Sequence, residues 1–376
     1  MIGLFSFFSG AGFLDLGFEK TGKYEVMFVN EYKPSFNRIY KHAHENMGVP
    51  EPVFGHHVGD VSEWLEDDCK YGQLCGYMQE AVSHGADLVG FIGGPPCPDF
   101  SVAGKNRGKE GENGKLSQTY ADLICKTQPD FFVFENVKGL YTTEMHRQFY
   151  EALKYQFRLF GYALTEHLVN SIEFGVPQDR YRIILVGVKK DTLARLGRSF
   201  GENDVIEGFD WDRHKLYDRN VLKGDWPKTT PYKEDVRTEA PEGVVKELTV
   251  QYWWDRNNVD AHPNQTMYFQ PRAGLDKFKT KDEGDMAKKC YKRLHRWRYS
   301  PTAAYGNNEV HIHPYKPRRI SVAEALAIQS LPPEYVIPGD VTLTDAFKTI
   351  GNGVPFLLAK GIALTLFDFI NGDVAE

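Results

Sequence analysis

Cysteine is scarce and unpatterned. The 376 residues hold five (Cys69, Cys75, Cys97, Cys125 and Cys290), an odd number with no CxxC spacing, which argues against a disulfide framework and against a thiolate zinc site. A reducing compartment, the cytoplasm, is expected. No run of 18 or more apolar residues occurs, so no membrane span is expected. Met1–Phe8 is apolar but has no basic residue before it and is followed by Asp15 and Glu19, so it reads as a first strand and not as a signal. No internal repeat is found, and there is no overall excess of positive charge: the net charge is −6. Whole-chain charge averages over faces that differ, so local charge is the better guide to a polyanionic partner.

What remains is an ordinary globular composition, 41% hydrophobic and 26% charged, with length for one large domain and a smaller one. Apolar runs of strand length alternate with helix-length segments: Leu4–Phe8, Tyr24–Val29, Leu88–Ile92, Phe131–Phe134 and Arg182–Val188. That alternation predicts an α/β fold with a doubly wound, mostly parallel sheet. From about 195 to 310 the texture changes, tryptophans cluster and the βα periodicity disappears, which predicts a smaller, irregular mixed second domain. Ser321 and Glu324 have capping-box spacing at the head of a helix, and Val354–Ile370 reads as another apolar helix. The expected division is therefore 1–194, 195–310, and 311–376 as a hinge and return to the first domain.

The chemistry concentrates where strands should end, because ligands of open α/β sheets lie outside the carboxyl ends of the strands. Cys97 follows Gly93-Gly94-Pro95-Pro96 directly after the run 87–92, a place better suited to a nucleophile than to core filling. Glu135 and Asn136 follow Phe131–Phe134 on the same rim. A carboxyl group in a half-buried site there can stay protonated and donate to a ring nitrogen, although its solution pKa is about 4.3; a helix N-cap acid is the plainer reading. Phe8-Ser9-Gly10-Ala11-Gly12 follows the first strand, and Glu31 ends the second, 19 residues after Gly12, which suits a carboxylate accepting from ribose hydroxyls. The dinucleotide fingerprint fails, since its third glycine would fall at Asp15; the loop implies a nucleoside cofactor or a merely structural turn.

Arg180 and Arg182 alternate into the last strand and are expected on one face, toward an anionic or carbonyl-rich substrate. After Cys97, glycines 104, 108, 111 and 114 and lysines 105, 109 and 115 suggest a flexible basic lid. Between Arg272 and Arg298, ten Lys and Arg stand against four acidic residues, either a solvated face or a polyanion contact. His311 and His313, near His295, lack Cys or acid partners at ligand spacing and read as loop or surface histidines, with no metal site.

Taken in order, these motifs resemble the cytosine-C5 DNA methyltransferase family of bacterial restriction-modification type. The resemblance rests on Phe8–Gly12, Asn30-Glu31, Gly59-Asp60-Val61, Gly94-Pro95-Pro96-Cys97 with Phe100-Ser101, Glu135-Asn136-Val137, Gln178–Arg182, Arg319–Leu331 and Gly351-Asn352-Gly353-Val354-Pro355. It implies a Rossmann-like S-adenosylmethionine-dependent fold, with S-adenosylhomocysteine as product. It implies addition of the Cys97 thiolate to C6 of a cytosine flipped out of double-stranded DNA, with Glu135 at N3 and N4 and with Arg180 and Arg182 near the base and the thiol. Phe8, Ser9, Gly10, Gly12, Glu31, Asp60, Pro95, Asn352 and Val354 would line the cofactor pocket, and 195–310 would recognise the target. A monomer is the default, and a cognate restriction endonuclease is compatible but not physically required. Pro98 in place of Gln, Phe13 in place of the second glycine, and Asn113 in place of Arg depart from the family pattern. Rival readings are an RNA (tRNA) cytosine-C5 methyltransferase and a catalytically silent DNA-binding homologue.

Overall fold

The computed structural model describes residues 1–96, 112–271, 275–288, 291–303, 305 and 311–372. Its first eight strands in chain order are β1 (Ile2–Phe7), β2 (Tyr24–Glu31), β3 (His56–Val58), β4 (Leu88–Gly93), β5 (Phe131–Val137), β6 (Tyr162–Asn170), β7 (Gln178–Asp179) and β8 (Tyr181–Lys189). Seven of them form one sheet in the order β3-β2-β1-β4-β5-β8-β6. β1 pairs in parallel with β2 and β4, β2 with β3, and β4 with β5; β8 runs antiparallel to both β5 and β6.

Both faces of this sheet are buried, which is why its strands read as continuous apolar runs. Phe5, Phe7, Phe28, Phe91, Phe132 and Phe134 point to one face and pack with the helices Asp68–Ser83, Glu112–Thr127 and Glu144–Leu159. Leu4, Val26, Ile92, Val133, Ile184 and Val186 point to the other, under the helix Phe356–Asn371. A doubly wound, mostly parallel sheet is thus what the chain forms. The lone reversed strand has a consequence for the site: β8 begins at the rim where β5 ends, with Arg182 opposite Val137.

A third core joins Phe13, Leu16, Ile39 and Ala43 to Trp253, Trp254, Leu294 and the buried face of Val322–Ile328. The anticipated capping box is present: Ser321 Oγ accepts from the Glu324 N–H, and Glu324 Oε2 accepts from the Ser321 N–H. Ile206, Phe209 and Trp211 pack on the main sheet's core, and Val250, Trp253, Trp254, Val259 and Leu294 belong to the third core. The stretch Leu343–Asn371 is apolar enough by composition to cross a membrane. It is instead two helices, Leu343–Asn352 and Phe356–Asn371, and 67% of its most apolar window is buried inside the protein.

Two expectations need correction. His295, His311 and His313 are not surface residues but buried, at 4%, 2% and 1% exposure; burial lowers all three pKa values, that of His311 to about 3. The basic run 272–298 is partly internal: Arg293 donates to the carbonyls of His313 and Phe278, and Arg296 is paired with Glu283. In the sequence those arginines cannot be told from solvated ones. The expected lid lies for the most part outside the described residues, while Gly114 and Lys115 belong to the helix Glu112–Thr127.

Candidate active site

The candidate site is the rim formed by the carboxyl ends of β2, β1, β4 and β5 and the start of β8. Glu135 stands two residues before the end of β5 with the carboxyl group only 9% exposed, and Arg182 Nε lies 2.6 Å from its Oε1. The guanidinium also donates to the Tyr181 carbonyl through Nη1 at 2.7 Å. Gly94 makes room for the acid: a Cβ there would stand 2.5 Å from Glu135 Oε2. Asn136 Oδ1 accepts from the Val137 N–H at 2.8 Å, and its amide reaches the Pro95 carbonyl at 3.5 Å. Pro95 is buried, so the exit of β4 is tied to the end of β5. Cys97 lies outside the described residues, as do Pro98, Phe100 and Ser101.

On the other side of β1 lies the glycine loop. Phe8, Gly10 and Gly12 all have positive φ, 53°, 58° and 77°, and the Gly12 N–H closes a tight turn on the Ser9 carbonyl at 2.9 Å. Gly12 is required twice over, since a Cβ would meet the Tyr40 ring at 2.5 Å. Gly10 faces open space, its nearest neighbour being Thr349 Oγ1 at 3.9 Å. Glu31 holds the loop: Oε2 accepts from the Gly10 N–H and Oε1 from the Lys33 N–H, both at 2.8 Å. Burial raises its pKa, and these N–H donors oppose the rise. Each carboxylate oxygen retains a lone pair for a hydroxyl. Ser9 Oγ is buried without a hydrogen-bond partner among the described residues. Asp60 Oδ1 accepts from the Ser62 N–H.

Tyr32, which sequence reasoning missed, stands 72% exposed beside Glu31, and Val58, at 42%, is on the neighbouring strand end. An exposed apolar pair at the lip of a polar pocket is a ready surface for a flat ring. Its only trace in the sequence is position, one residue after the strand-ending acid.

Arg180 does not share its task with Arg182. It falls between β7 and β8, so strand alternation does not govern it. It is fully buried and spends its donors on main-chain carbonyls: Ala303 at 3.0 Å, Gly351 at 2.9 Å, Asn352 at 3.4 Å and Gly353 at 3.0 Å. Gln178 works alongside it, accepting from the Ala303 N–H at 3.0 Å and donating to Gln329 at 3.1 Å. The expectation of a substrate-facing arginine is replaced by a clamp between the segment at 303 and the turn 351–353. Of the pocket residues expected on that turn, Asn352 is exposed and Val354 is buried in the core beneath. The departure at Phe13 has its complement here: a Cβ on Gly353 would lie 2.2 Å from the Phe13 ring, which stands edge-on to Tyr335 at 5.1 Å.

The arrangement brings an acid–guanidinium pair at the end of β5 and a carboxylate-anchored glycine loop at the end of β2 to one rim. Two strands, β1 and β4, separate them, about 14 Å at the usual strand spacing. That is room for two ligands side by side, one over each end of the crevice.

A family model described as C-5 cytosine-specific DNA methylase matches residues 2–368. The chain is 59% identical over 367 residues to Type II methyltransferase M.NmeDI of Neisseria meningitidis serogroup C, covering 98% of this chain and 84% of that protein. Identity to Type II methyltransferase M.MthTI of Methanothermobacter thermautotrophicus is 28% over 372 residues, 95% of this chain and 94% of that one. Among solved structures, a putative DNA modification methyltransferase encoded within an E. coli prophage superposes with a TM-score of 0.65 at 21% identity, covering 99% and 100% of the two chains. The S. pombe Dnmt2 methyltransferase superposes at 0.59 and 11%, covering both chains fully; these likenesses concern the fold.

Proposed function

Because the chain belongs to the C-5 cytosine-specific DNA methylase family and is a C-5 cytosine DNA methyltransferase, we propose that the rim described above divides its two ligands between β2 and β5. In this reading S-adenosylmethionine lies at the glycine loop and the target cytosine lies at Glu135. The single observation that carries it is the Glu135–Arg182 pair seated over Gly94: a carboxyl group held in a fixed position at the exit of the strand that leads to Cys97.

The residues present fit the cofactor. Glu31 has accepting capacity left for ribose hydroxyls, Tyr32 and Val58 offer an apolar lip for the adenine, and the open side of Gly10 with the unpartnered Ser9 Oγ suits the amino-acid end. Asp60 and Asn352 complete the polar margin, with Phe8, Gly12, Pro95 and Val354 shaping the walls. When bound, S-adenosylmethionine supplies an electrophilic methyl group.

The chain's own part is to make C5 of cytosine attack it. The Cys97 thiolate adds to C6, and Glu135 holds a proton toward N3 while accepting from the exocyclic amine. Arg182 fixes the carboxyl and stays charged throughout. Transfer of the C5 proton to a water molecule then re-forms the C5–C6 double bond and expels the Cys97 thiolate. Arg180 acts as a positioning residue for the turn 351–353. The base must leave the duplex, at a cost of roughly a few kcal/mol that backbone contacts offset.

We further propose a monomer in the cytoplasm whose mark protects DNA from a cognate endonuclease. Residues 195–310 would read the sequence. The test is covalent trapping: wild-type protein with S-adenosylmethionine and duplex DNA carrying 5-fluorocytosine should give a denaturation-resistant complex. No such complex with DNA, but one with 5-fluorocytosine-containing tRNA, would transfer the reading to RNA; none with either would leave a silent binder.

A further inference from the structure

At the rim beside Glu135 stands a cation that the chemistry above does not use. Lys138 follows Val137, the last residue of β5, and is exposed. Its Nζ stands 4.3 Å from the centroid of the Tyr181 ring, and it enters no ion pair among the described residues. Tyr181 is the first residue of β8, beside Arg182. The other cation near that ring is already neutralised: the Arg219 guanidinium, 5.5 Å from the centroid, donates to Glu173 Oε2 at 2.9 Å and to the Leu168 carbonyl at 2.7 Å. Lys215 is matched in the same way, 3.0 Å from Glu173 and 2.6 Å from Asp212.

We propose that Lys138 is a backbone anchor, binding a phosphate of the DNA strand that carries the flipped cytosine. An ammonium group held over an aromatic face keeps its charge and a preferred direction while its three donors stay free. Lying three residues beyond Glu135 and exposed, it would face the sugar-phosphate beside a cytosine everted to Glu135. Because base eversion is offset by backbone contacts, a phosphate held here stabilises the flipped state without reading sequence.

The inference rests on the DNA substrate and is separable from it by salt dependence. Each phosphate neutralised contributes about 0.9 to the slope of log K against log salt on B-DNA. Binding of wild-type protein to a duplex carrying its methylation site would be titrated across salt, alongside Lys138→Gln, Lys138→Arg and Lys126→Gln. Lys126 is the control, because it also stands over a ring, Tyr71 at 4.0 Å, but at the end of the helix Glu112–Thr127, next to the start of β5 and far from the rim. The anchor predicts a slope smaller by about 0.9 for Lys138→Gln, and wild-type slopes for Lys138→Arg and Lys126→Gln. A Lys138→Gln slope equal to wild type, with melting temperature unchanged, overturns it. A wild-type protein that shows no salt-dependent DNA binding overturns the substrate reading and the anchor together.

Discussion

Arg182 Nε lies 2.6 Å from Glu135 Oε1, one residue from a strand that ends at the rim and the other from a strand that begins there. The pairing is possible only because β8 runs against β5. A parallel β8 would carry its first residues to the opposite end of the sheet.

Gly94 is the floor of that pair. Gly94→Ala would place a methyl group 2.5 Å from Glu135 Oε2 and force the carboxyl off its partner. Single-turnover methyl transfer should fall by about 10²-fold, with Glu135→Gln at least as damaging. S-adenosylmethionine affinity should move far less in both, since Glu31 and the glycine loop lie across β1 and β4. Equal losses in rate and cofactor affinity would show that the two ends of the crevice are not separate.

Removing the Arg180 guanidinium takes the donor from the buried carbonyl of Ala303 and from the partly buried carbonyls of 351–353. Arg180→Ala should destabilise the fold by roughly 3 kcal/mol in urea unfolding. Arg180→Lys should recover part of this, because one ammonium cannot span carbonyls on two segments. A variant as stable as wild type would mean those carbonyls find other donors.

Asp15 replaces the expected third glycine and is fully buried, its Oδ1 accepting from Ser6 Oγ at 2.8 Å. Burial raises its pKa from 3.8 to about 7. The folded state therefore keeps a proton that the unfolded chain loses, and stability falls as pH rises between those two values and is level above. Asp15→Asn should remove that component and be more stable than wild type at pH 8, by roughly 2–4 kcal/mol, but not at pH 4. Parallel pH–stability curves for the two proteins would contradict this.

Elements buried on both faces were legible, since β1, β2, β4, β5 and β8 are unbroken apolar runs. β6 was not, because it is an edge strand whose residues Thr165–Leu168 are half-exposed and polar in part. β3 was too short to register. The rim acids Glu31 and Glu135 could be placed because a strand end is a local property. The task of Arg180 could not, since its partners at 303 and 351–353 are brought to it only by folding. The same holds for Glu324: burial pushes its pKa up, but His313 and Arg318 outweigh this and hold it well below the usual carboxylate range. Read as a capping residue alone, it gave no hint that His313 was buried beside it.

We propose that Cys97, which follows Gly93-Gly94-Pro95-Pro96 in the sequence, is the nucleophile of this DNA cytosine methylase. Bisulfite sequencing of DNA from cells expressing wild-type protein and Cys97→Ser tests it most directly. Cytosines protected in one short motif by the wild type and unprotected in the variant are the expected result. Identical conversion in both would contradict it.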